Sequence, residues 1–466
     1  MSEVKVNTVV IGAGPGGYVA AIRLGQLGVD TLLIEKEYYG GVCLNVGCIP
    51  SKALIHVSKS FEGIGKMSAF GVKAENPTID FAETQAWKEK VVKQLTGGVR
   101  LLVTKNGAEV MEGAATLMGT NHLQVVDGKG ETHRVQFENC IVATGSSPAQ
   151  IPTFPFGGKI LDSTGALALK SVPKSMIIIG GGYIGLELGF VYRKLGTEVT
   201  VVEMMPSVLA GFDADAVKAM TRKLKKDKFK VMTEAAAKSC RETEKGIELE
   251  VEHKGKIQTL SADYLCVTVG RRPNSKNAGL ENAGVATDKH GFIPVDDKMR
   301  TNIPNIYAIG DVAGQPMLAH HASYQGEIAA ENIAGHAAAD QAKTCPAVVF
   351  TDPEIATVGL SEEEAKARGL ELAIGMFPLA ALGKAKAMND TEGFIKIIAD
   401  KKSEEILGVV IVGHGAGDLI GEATLGIEMG AFLDDLSLTI HPHPTLTEGM
   451  MEAAKKAKGQ AIHVLN

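Results

Sequence analysis

Three shortages narrow the reading before any motif is found. The longest apolar run, Ser175 to Val191, is broken by glycines and carries Glu187, so no stretch reads as a membrane span. Positive charge is not in excess: 48 Lys and Arg stand against 54 Asp and Glu, and at a net charge of −6 nothing points to a nucleic acid or another polyanion. Cysteine is sparse, and Cys140, Cys240, Cys266 and Cys345 are scattered singly. The opening Met1-Ser2-Glu3-Val4-Lys5-Val6-Asn7 lacks the basic and apolar regions of a secretory signal. The expectation is a soluble, cytoplasmic protein, in whose reducing surroundings a disulfide is catalytic rather than structural.

Glycine, by contrast, is plentiful: 54 in 466 residues, above the usual share of about 7%. The surplus falls in turns of one kind. Thr8-Val9-Val10-Ile11 reads as a buried strand, Gly12-x-Gly14-x-x-Gly17 opens a helix to about Leu27, and Thr31 to Ile34 is a second strand ending at Glu35. Such a βαβ unit brings backbone amides to a pyrophosphate at the helix N-terminus and an acid to a ribose diol. The device recurs as Met176 to Ile179, then Gly180-x-Gly182-x-x-Gly185, a helix to about Leu195, and Val199 to Val202 ending at Glu203. First glycine to terminal acid is 23 residues in both copies (12 to 35, 180 to 203), so the chain is expected to bind two dinucleotides.

Just beyond Glu35 lies Gly40-Gly41-Val42-Cys43-Leu44-Asn45-Val46-Gly47-Cys48-Ile49-Pro50-Ser51-Lys52, leading into the apolar run Ala53 to Val57. On one continuous helix these cysteines would point apart, so joining them needs an opened turn, which Gly47 before Pro50 supplies. A small strained loop makes a redox-active disulfide, and a helix start at Cys48 favours its thiolate. Two plainer readings stay open: two unlinked core cysteines, or structural zinc, for which the about four ligands needed are not evident. Nicotinamide exchanges poorly with a disulfide whereas a flavin does so readily, so FAD is assigned to the first fold and NAD to the second. Glu203 suits the free 2′-hydroxyl of NAD and repels a 2′-phosphate. Arg193 and Lys194, earlier on the helix, read as solvated surface charges.

Between the copies, Phe81 to Val103 has the spacing of a long helix packed through Trp87, Val91, Leu95, Val99 and Leu102. Glu109 to Phe137 reads as an antiparallel meander, and Cys140, as core, lies on a strand running to Thr144-Gly145. The second fold closes the same way at Tyr264 to Gly270, followed by Arg271-Arg272-Pro273-Asn274. Thr301 to Asp311 holds another buried strand ending in Gly310-Asp311, where the acid either holds a ribityl hydroxyl or caps the next helix. From about Thr344 antiparallel strands and two helices give an α+β domain without a glycine fingerprint. Near its end His443 and Glu448 read as an oriented acid–base pair, with metal binding alongside His441, or helix capping, as alternatives.

These stretches together resemble the pyridine nucleotide–disulfide oxidoreductase family over essentially the whole chain. The most specific marks are the Gly40–Lys52 segment, Thr301–Asp311, Met317-Leu318-Ala319-His320, Thr351-Asp352-Pro353-Glu354 and His443-Pro444-Thr445-Leu446-Thr447-Glu448. The resemblance implies an α/β fold of two Rossmann-like dinucleotide-binding domains plus a C-terminal α+β dimerisation domain. Its expected bounds are 1–145 and 271–343 for FAD, 146–270 for NAD and 344–466 for the interface. It implies that Cys43 exchanges with substrate, that Cys48 touches flavin, that His443 with Glu448 is the acid–base, and that Lys52 and Glu187 pair beside the flavin. Thr144, Gly145, Gly310, Asp311, Leu318, Ala319 and His320 fall to FAD, and Gly270 with the second fingerprint to NAD.

The implied reaction is oxidation of protein-bound dihydrolipoamide by NAD+, in a homodimer serving the acyltransferase core of a 2-oxo acid dehydrogenase complex or the glycine cleavage system. Glutathione reductase types carry arginines where this chain has Glu203. Mercuric reductases add a C-terminal cysteine pair beyond the position of Cys345, and soluble transhydrogenases lack the cysteine pair. Val42, where threonine is usual, and His321 to Gly326, in place of a more charged run, depart from the pattern.

Overall fold

In this computed structural model residues 2–466 are described; Met1, where the reading of the N-terminus begins, lies outside the described residues. Strand β1 (Ser2–Ile11), helix α1 (Pro15–Gln26) and strand β2 (Thr31–Glu35) form the first βαβ unit, with Thr8 opposite Thr31 and Ile11 opposite Ile34 in a parallel ladder. Val9 and Val10 are fully buried on opposite faces of β1, as a sheet covered by helices requires. Full burial of one such side chain contributes about 1.5–3 kcal/mol. The long strand Thr132–Val142 runs parallel to β1 along nearly its whole length and pairs on its other edge with the antiparallel His122–Val126, which in turn pairs with Ala114–Leu117. Glu109–Glu112 was expected in that meander but lies parallel to β2, because the helix before it carries the chain back over the sheet.

The second unit repeats the plan. Ser175–Ile179, helix Tyr183–Lys194 and Glu198–Val202 sit in a parallel sheet that also holds Lys230–Met232, Tyr264–Val267 and Ile160–Leu161. A three-stranded antiparallel sheet, Ala235 to Ala262, lies beside it. The chain then returns to the first sheet, where Ile306–Ala308 pairs with Cys140 to Val142, and Cys140 is fully buried. The C-terminal part is a five-stranded antiparallel sheet covered by the helices Ala416–Met429 and Glu448–Ala457, with Ile395, Ile397, Ile411, Met450 and Ala453 in its core. The fold is thus α/β: two Rossmann-like units and a C-terminal α+β domain. Among the described residues no helix is long and apolar enough to cross a membrane.

Two expectations are corrected. Helix α4 (Phe81–Lys105) forms as expected, yet Trp87, Leu95 and Leu102 are exposed, and the buried stripe is Phe81, Thr84, Lys88, Val92, Val99 and Val103. The helix carries two stripes at helical spacing, and Lys88 is drawn inward because its ammonium donates to the Leu167 carbonyl at 2.9 Å. Lys194 is not a solvated charge: its side chain is 3% exposed, and its ammonium binds Glu62 from the first unit and Asp352 from the third. Burial alone would raise Asp352, but Lys194 and Lys223 overcome it and lower its carboxyl to about 2.

Candidate active site

The glycines of each fingerprint divide into three kinds of work. Gly12 (φ +102°) and Gly180 (φ +103°) need the left-handed region, and a Cβ on either would come within 2.4 Å of the Ala143 carbonyl or 2.6 Å of the Thr268 carbonyl. Gly17 and Gly185 let helix meet strand, where a Cβ would lie 1.9 and 2.3 Å from the first glycine's carbonyl oxygen. Gly14 and Gly182 have no protein atom within 4 Å of a built Cβ. Each is the N-cap of its helix with no side-chain cap, so the free amides of the first turn face open space, which is what an incoming pyrophosphate requires. The terminal acids are fixed in advance. Glu35 accepts hydrogen bonds from the amides of Ala13 (2.7 Å), Glu37 (2.8 Å) and Tyr38 (3.1 Å). Glu203 accepts from those of Gly181 (2.6 Å) and Met205 (2.7 Å).

After Glu35 the chain doubles back over its own glycine loop. Gly40 (φ +87°) donates to the Ala13 carbonyl at 2.8 Å, and a Cβ on Gly41 (φ +60°) would lie 2.6 Å from Gly14 Cα. Helix α2 (Gly41–Val46) carries Cys43 and helix α3 (Cys48–Lys66) begins at Cys48, with the break at Gly47. The opened turn therefore falls where the sequence places it. The two sulfurs are close enough to share a proton, and the sharing is unequal. The hydrogen bond from Cys43 lowers Cys48 to about 7; burial and Glu187 oppose this, while Lys52 and the helix-start amide assist. The thiol of Cys43 is pushed up by the same bond and by burial, so the thiolate rests on Cys48.

Lys52, one turn further along α3, pairs with Glu187 at 2.9 Å, and Glu187 is almost fully buried. Both line a cavity of about 520 Å³ that runs from Glu35 and Gly14, past Thr144 and Gly145, to Cys43 and Cys48. Gly310 and Asp311 line it as well; Asp311 accepts from the Ser146 hydroxyl, while the helix that follows is capped by Leu318, so the capping reading of Asp311 falls away. Uncapped helix amides at one end, an acid beyond them and a thiolate at the other end fit a flavin dinucleotide.

Several residues without an assigned role hold this wall. Arg271 donates to the Ser146 hydroxyl (2.7 Å) and carbonyl (2.6 Å), Asn274 exchanges two bonds with Thr144, and Gln325 accepts from the Gly310 amide at 2.7 Å. The run from Arg271 to Asn274 was visible after the second fold, but only tertiary structure brings it to the first. Other expected residues lie outside the lining. Ala319 is in it, whereas Leu318 is not, and His320 turns to the Pro346 carbonyl at 2.8 Å. Gly180, Gly182, Gly185 and Gly270 also stand apart from it, with Tyr183 and Ile184 marking where the second fold meets the cavity.

His443 Nδ1 lies 2.8 Å from Glu448 Oε1, and the other carboxylate oxygen accepts from the Thr445 amide at 2.9 Å. Burial pushes Glu448 up, but the bonds from His443 and Thr445 outweigh it and hold the carboxyl below its usual range. The His443 ring is 77% exposed and does not line the cavity at the cysteines. His441 is turned away and bound to Glu422 at 2.8 Å, and the helix beginning at Glu448 has no side-chain cap, so neither alternative reading of this pair describes its geometry.

Comparison with known proteins agrees with this geometry. Residues 6–326 match the family model described as pyridine nucleotide-disulphide oxidoreductase, and residues 345–454 match that family's dimerisation domain. The dihydrolipoyl dehydrogenase of Geobacillus stearothermophilus is 49% identical over 99% of this chain and 98% of its own length. That of Halobacterium salinarum is 46% identical over 99% and 98%. Among solved structures, LpdA of Mycobacterium tuberculosis superposes with a TM-score of 0.90 at 27% identity, over 97% of this chain and 99% of that one. The HOCl-induced flavoprotein disulfide reductase RclA of Escherichia coli gives a TM-score of 0.87 at 27% identity, over 96% and 99%. The chain belongs to the pyridine nucleotide-disulphide oxidoreductase family, and its cofactors are FAD and NAD.

Proposed function

We propose that the chain oxidises protein-bound dihydrolipoamide to lipoamide with reduction of NAD+ to NADH, as a component of 2-oxo acid dehydrogenase complexes or of the glycine cleavage system. The observation that carries this reading is the cavity in which Cys43, Cys48, Lys52 and Glu187 stand beside residues of both dinucleotide folds, in a chain so similar to dihydrolipoyl dehydrogenases. Residues 1–145 with 271–343 make the flavin domain, 146–270 the NAD domain and 344–466 the interface, a division supported by the return of Ile306–Ala308 to the first sheet. A disulfide that cycles on every turnover suits the reducing cytoplasm.

His443, with Nδ1 held by Glu448, presents Nε2 as the base. It takes a proton from one thiol of dihydrolipoamide, and the resulting thiolate attacks Cys43 Sγ of the disulfide, releasing Cys48 as thiolate. The second substrate thiol then attacks the substrate sulfur of the mixed disulfide, lipoamide leaves, and Cys43 departs carrying a proton. Lys52 steadies the thiolate left on Cys48. FAD, when bound, carries the electron pair onward to NAD. An NADH-linked assay across lipoamide, glutathione disulfide and Hg(II) tests the assignment: lipoamide should be strongly preferred, and a preference for glutathione disulfide overturns it.

The partners follow from where His443 sits. An oriented base on a dimerisation domain, away from the cavity of its own chain, is supplied to the cysteines of a second copy, giving a two-fold dimer with shared sites. The lipoyl domain and the acyltransferase core are the macromolecular partners. Chains carrying Cys43→Ser and His443→Gln are each inactive alone; their hybrid has one whole site and should recover activity. A verified hybrid without activity rules out the shared site.

A further inference from the structure

One ion pair is touched by three separate parts of the chain. Lys52 lies on α3 just after the cysteines, Glu187 lies on the helix of the second fingerprint, and Phe350 follows the first strand of the C-terminal sheet. Glu187 Oε2 accepts from Lys52 Nζ at 2.9 Å, and Oε1 accepts from the Phe350 amide at 2.9 Å. The Phe350 ring in turn lies under the ammonium, 4.4 Å from Nζ to the ring centroid. A single residue therefore grips both members of the pair, its negative ring face toward the cation and its N–H toward the anion.

We propose that Phe350 is a positioning residue for the redox pair: its ring and amide hold Lys52 and Glu187 in place, and so fix the positive charge beside Cys48. The proposal rests on Cys48 being the sulfur that carries the thiolate. The charged and titratable groups acting on that sulfur are Cys43, Lys52 and Glu187, with Tyr183 within their field. Of these, Lys52 is the only cation, it is a third exposed, and its four-carbon stem gives it freedom to swing to water. Glu187 alone does not favour the thiolate, since its own charge opposes it. With the ring removed, the ammonium is better hydrated and its field at Cys48 weakens. Docking of the C-terminal domain and reactivity of the disulfide are in this way joined through one side chain.

The test uses the flavin-loaded dimer in a Cys43→Ser background, where Cys48 is the sole thiol of the pair. The pH midpoint of its thiolate-dependent long-wavelength absorbance is compared across Phe350→Leu, Phe350→Tyr and Lys52→Met. Lys52→Met should raise the midpoint most, Phe350→Leu by about one unit, a tenfold loss of thiolate below the midpoint, and Phe350→Tyr, which keeps the ring, should leave it in place. If Lys52→Met shifts the midpoint while Phe350→Leu does not, the role of Phe350 is refuted and the assignment of Cys48 stands. Equal shifts in Leu and Tyr would assign the effect to packing and overturn the proposal. Absence of any titrating band in Cys43→Ser itself removes the premise about Cys48, and the proposal with it.

Discussion

The two dinucleotide folds of this chain share one hydrogen-bond plan in their glycine loops and differ in what the chain after the terminal acid brings back to them. In both, the first glycine sits near +100° in φ against a neighbouring strand's carbonyl, and the acid takes the amide following the first glycine. After Glu35, however, Gly40 and Gly41 fold the chain back across Gly14 and set the cysteine-bearing helices there. After Glu203 the chain passes through Met204 and Met205, which are 71% and 46% exposed, and then also returns to its loop, Leu209 donating to the Gly181 carbonyl at 2.9 Å. In the first fold the return sets Gly41 against Gly14 and brings the cysteines with it, whereas in the second it reaches Gly181 only and brings no cysteine. A fold whose return carries the redox pair suits the resident cofactor and the fold without it suits a cofactor that must arrive and leave each cycle, which is the division between FAD and NAD that the disulfide's position implies.

The strongest way to break this contrast is to take away what only the first fold carries. Cys43→Ser should reduce lipoamide-dependent turnover by about 10³-fold or more, as loss of a nucleophile does, while NAD binding to the second fold is unchanged in a direct titration. In the reduced wild-type enzyme the Cys48 thiolate should disappear as the pH falls through about 7, because the protonated form dominates below the value that Cys43 and Lys52 set for it. A thiolate signal persisting well below that pH would mean that another group bears the charge.

Much of this was legible because it is local. Fingerprint, acid, cysteine pair and the His443–Glu448 step all lie within short windows whose residue types state their chemistry. What stayed hidden depends on pairs distant in sequence: Arg271 on Ser146, Lys194 on Asp352, Phe350 on Glu187. No window contains both partners, so a lysine at a helix end reads as solvated until another domain covers it. On α4 the difficulty was different, since Trp87 and Leu95 share helical spacing with the buried set and periodicity does not name the face that is covered.

A paired substitution sharpens the contrast between the two folds. Gly41→Ala forces a left-handed alanine, costing about 1–2 kcal/mol, and drives its Cβ into Gly14 Cα, so flavin dissociation should rise roughly 10- to 30-fold. Gly182→Ala meets no protein atom and has an extended-side φ of −76°, so stability should hold while the KM for NAD rises several-fold. Equal flavin loss in both variants, measured by equilibrium dialysis, would remove the distinction.

The second fold is also held to the C-terminal domain by charge, and that bond has its own signature. Asp352→Asn removes a carboxylate lowered from 3.8 to about 2, worth roughly 2–3 kcal/mol at neutral pH at about 1.4 kcal/mol per unit. A depressed folded value gives stability that is complete well above 3.8 and fades as the pH falls toward 2. The gap between wild type and Asn in urea unfolding should therefore shrink to about half by pH 3. A gap that does not change with pH would assign the loss to packing.

The smallest expected effect concerns the acids themselves. Glu203 uses two of its about four acceptor positions on Gly181 and Met205, and Glu35 uses three, so the second acid has more capacity left for a ribose diol. Its carboxylate is only half-buried, so solvent screens part of its repulsion of a 2′-phosphate. Glu203→Gln keeps an oxygen for one of the two amides, sets its own N–H₂ against the other, and removes the charge. The NAD:NADP ratio of kcat/KM should narrow by about tenfold, equivalent to about 1.4 kcal/mol, chiefly through better use of NADP. Glu35→Gln should leave that ratio alone and weaken flavin retention instead. If Glu203→Gln leaves the ratio unchanged and only raises both KM values, the acid's work is to hold the Gly181–Met205 loop in shape, and the two folds are alike in this respect after all.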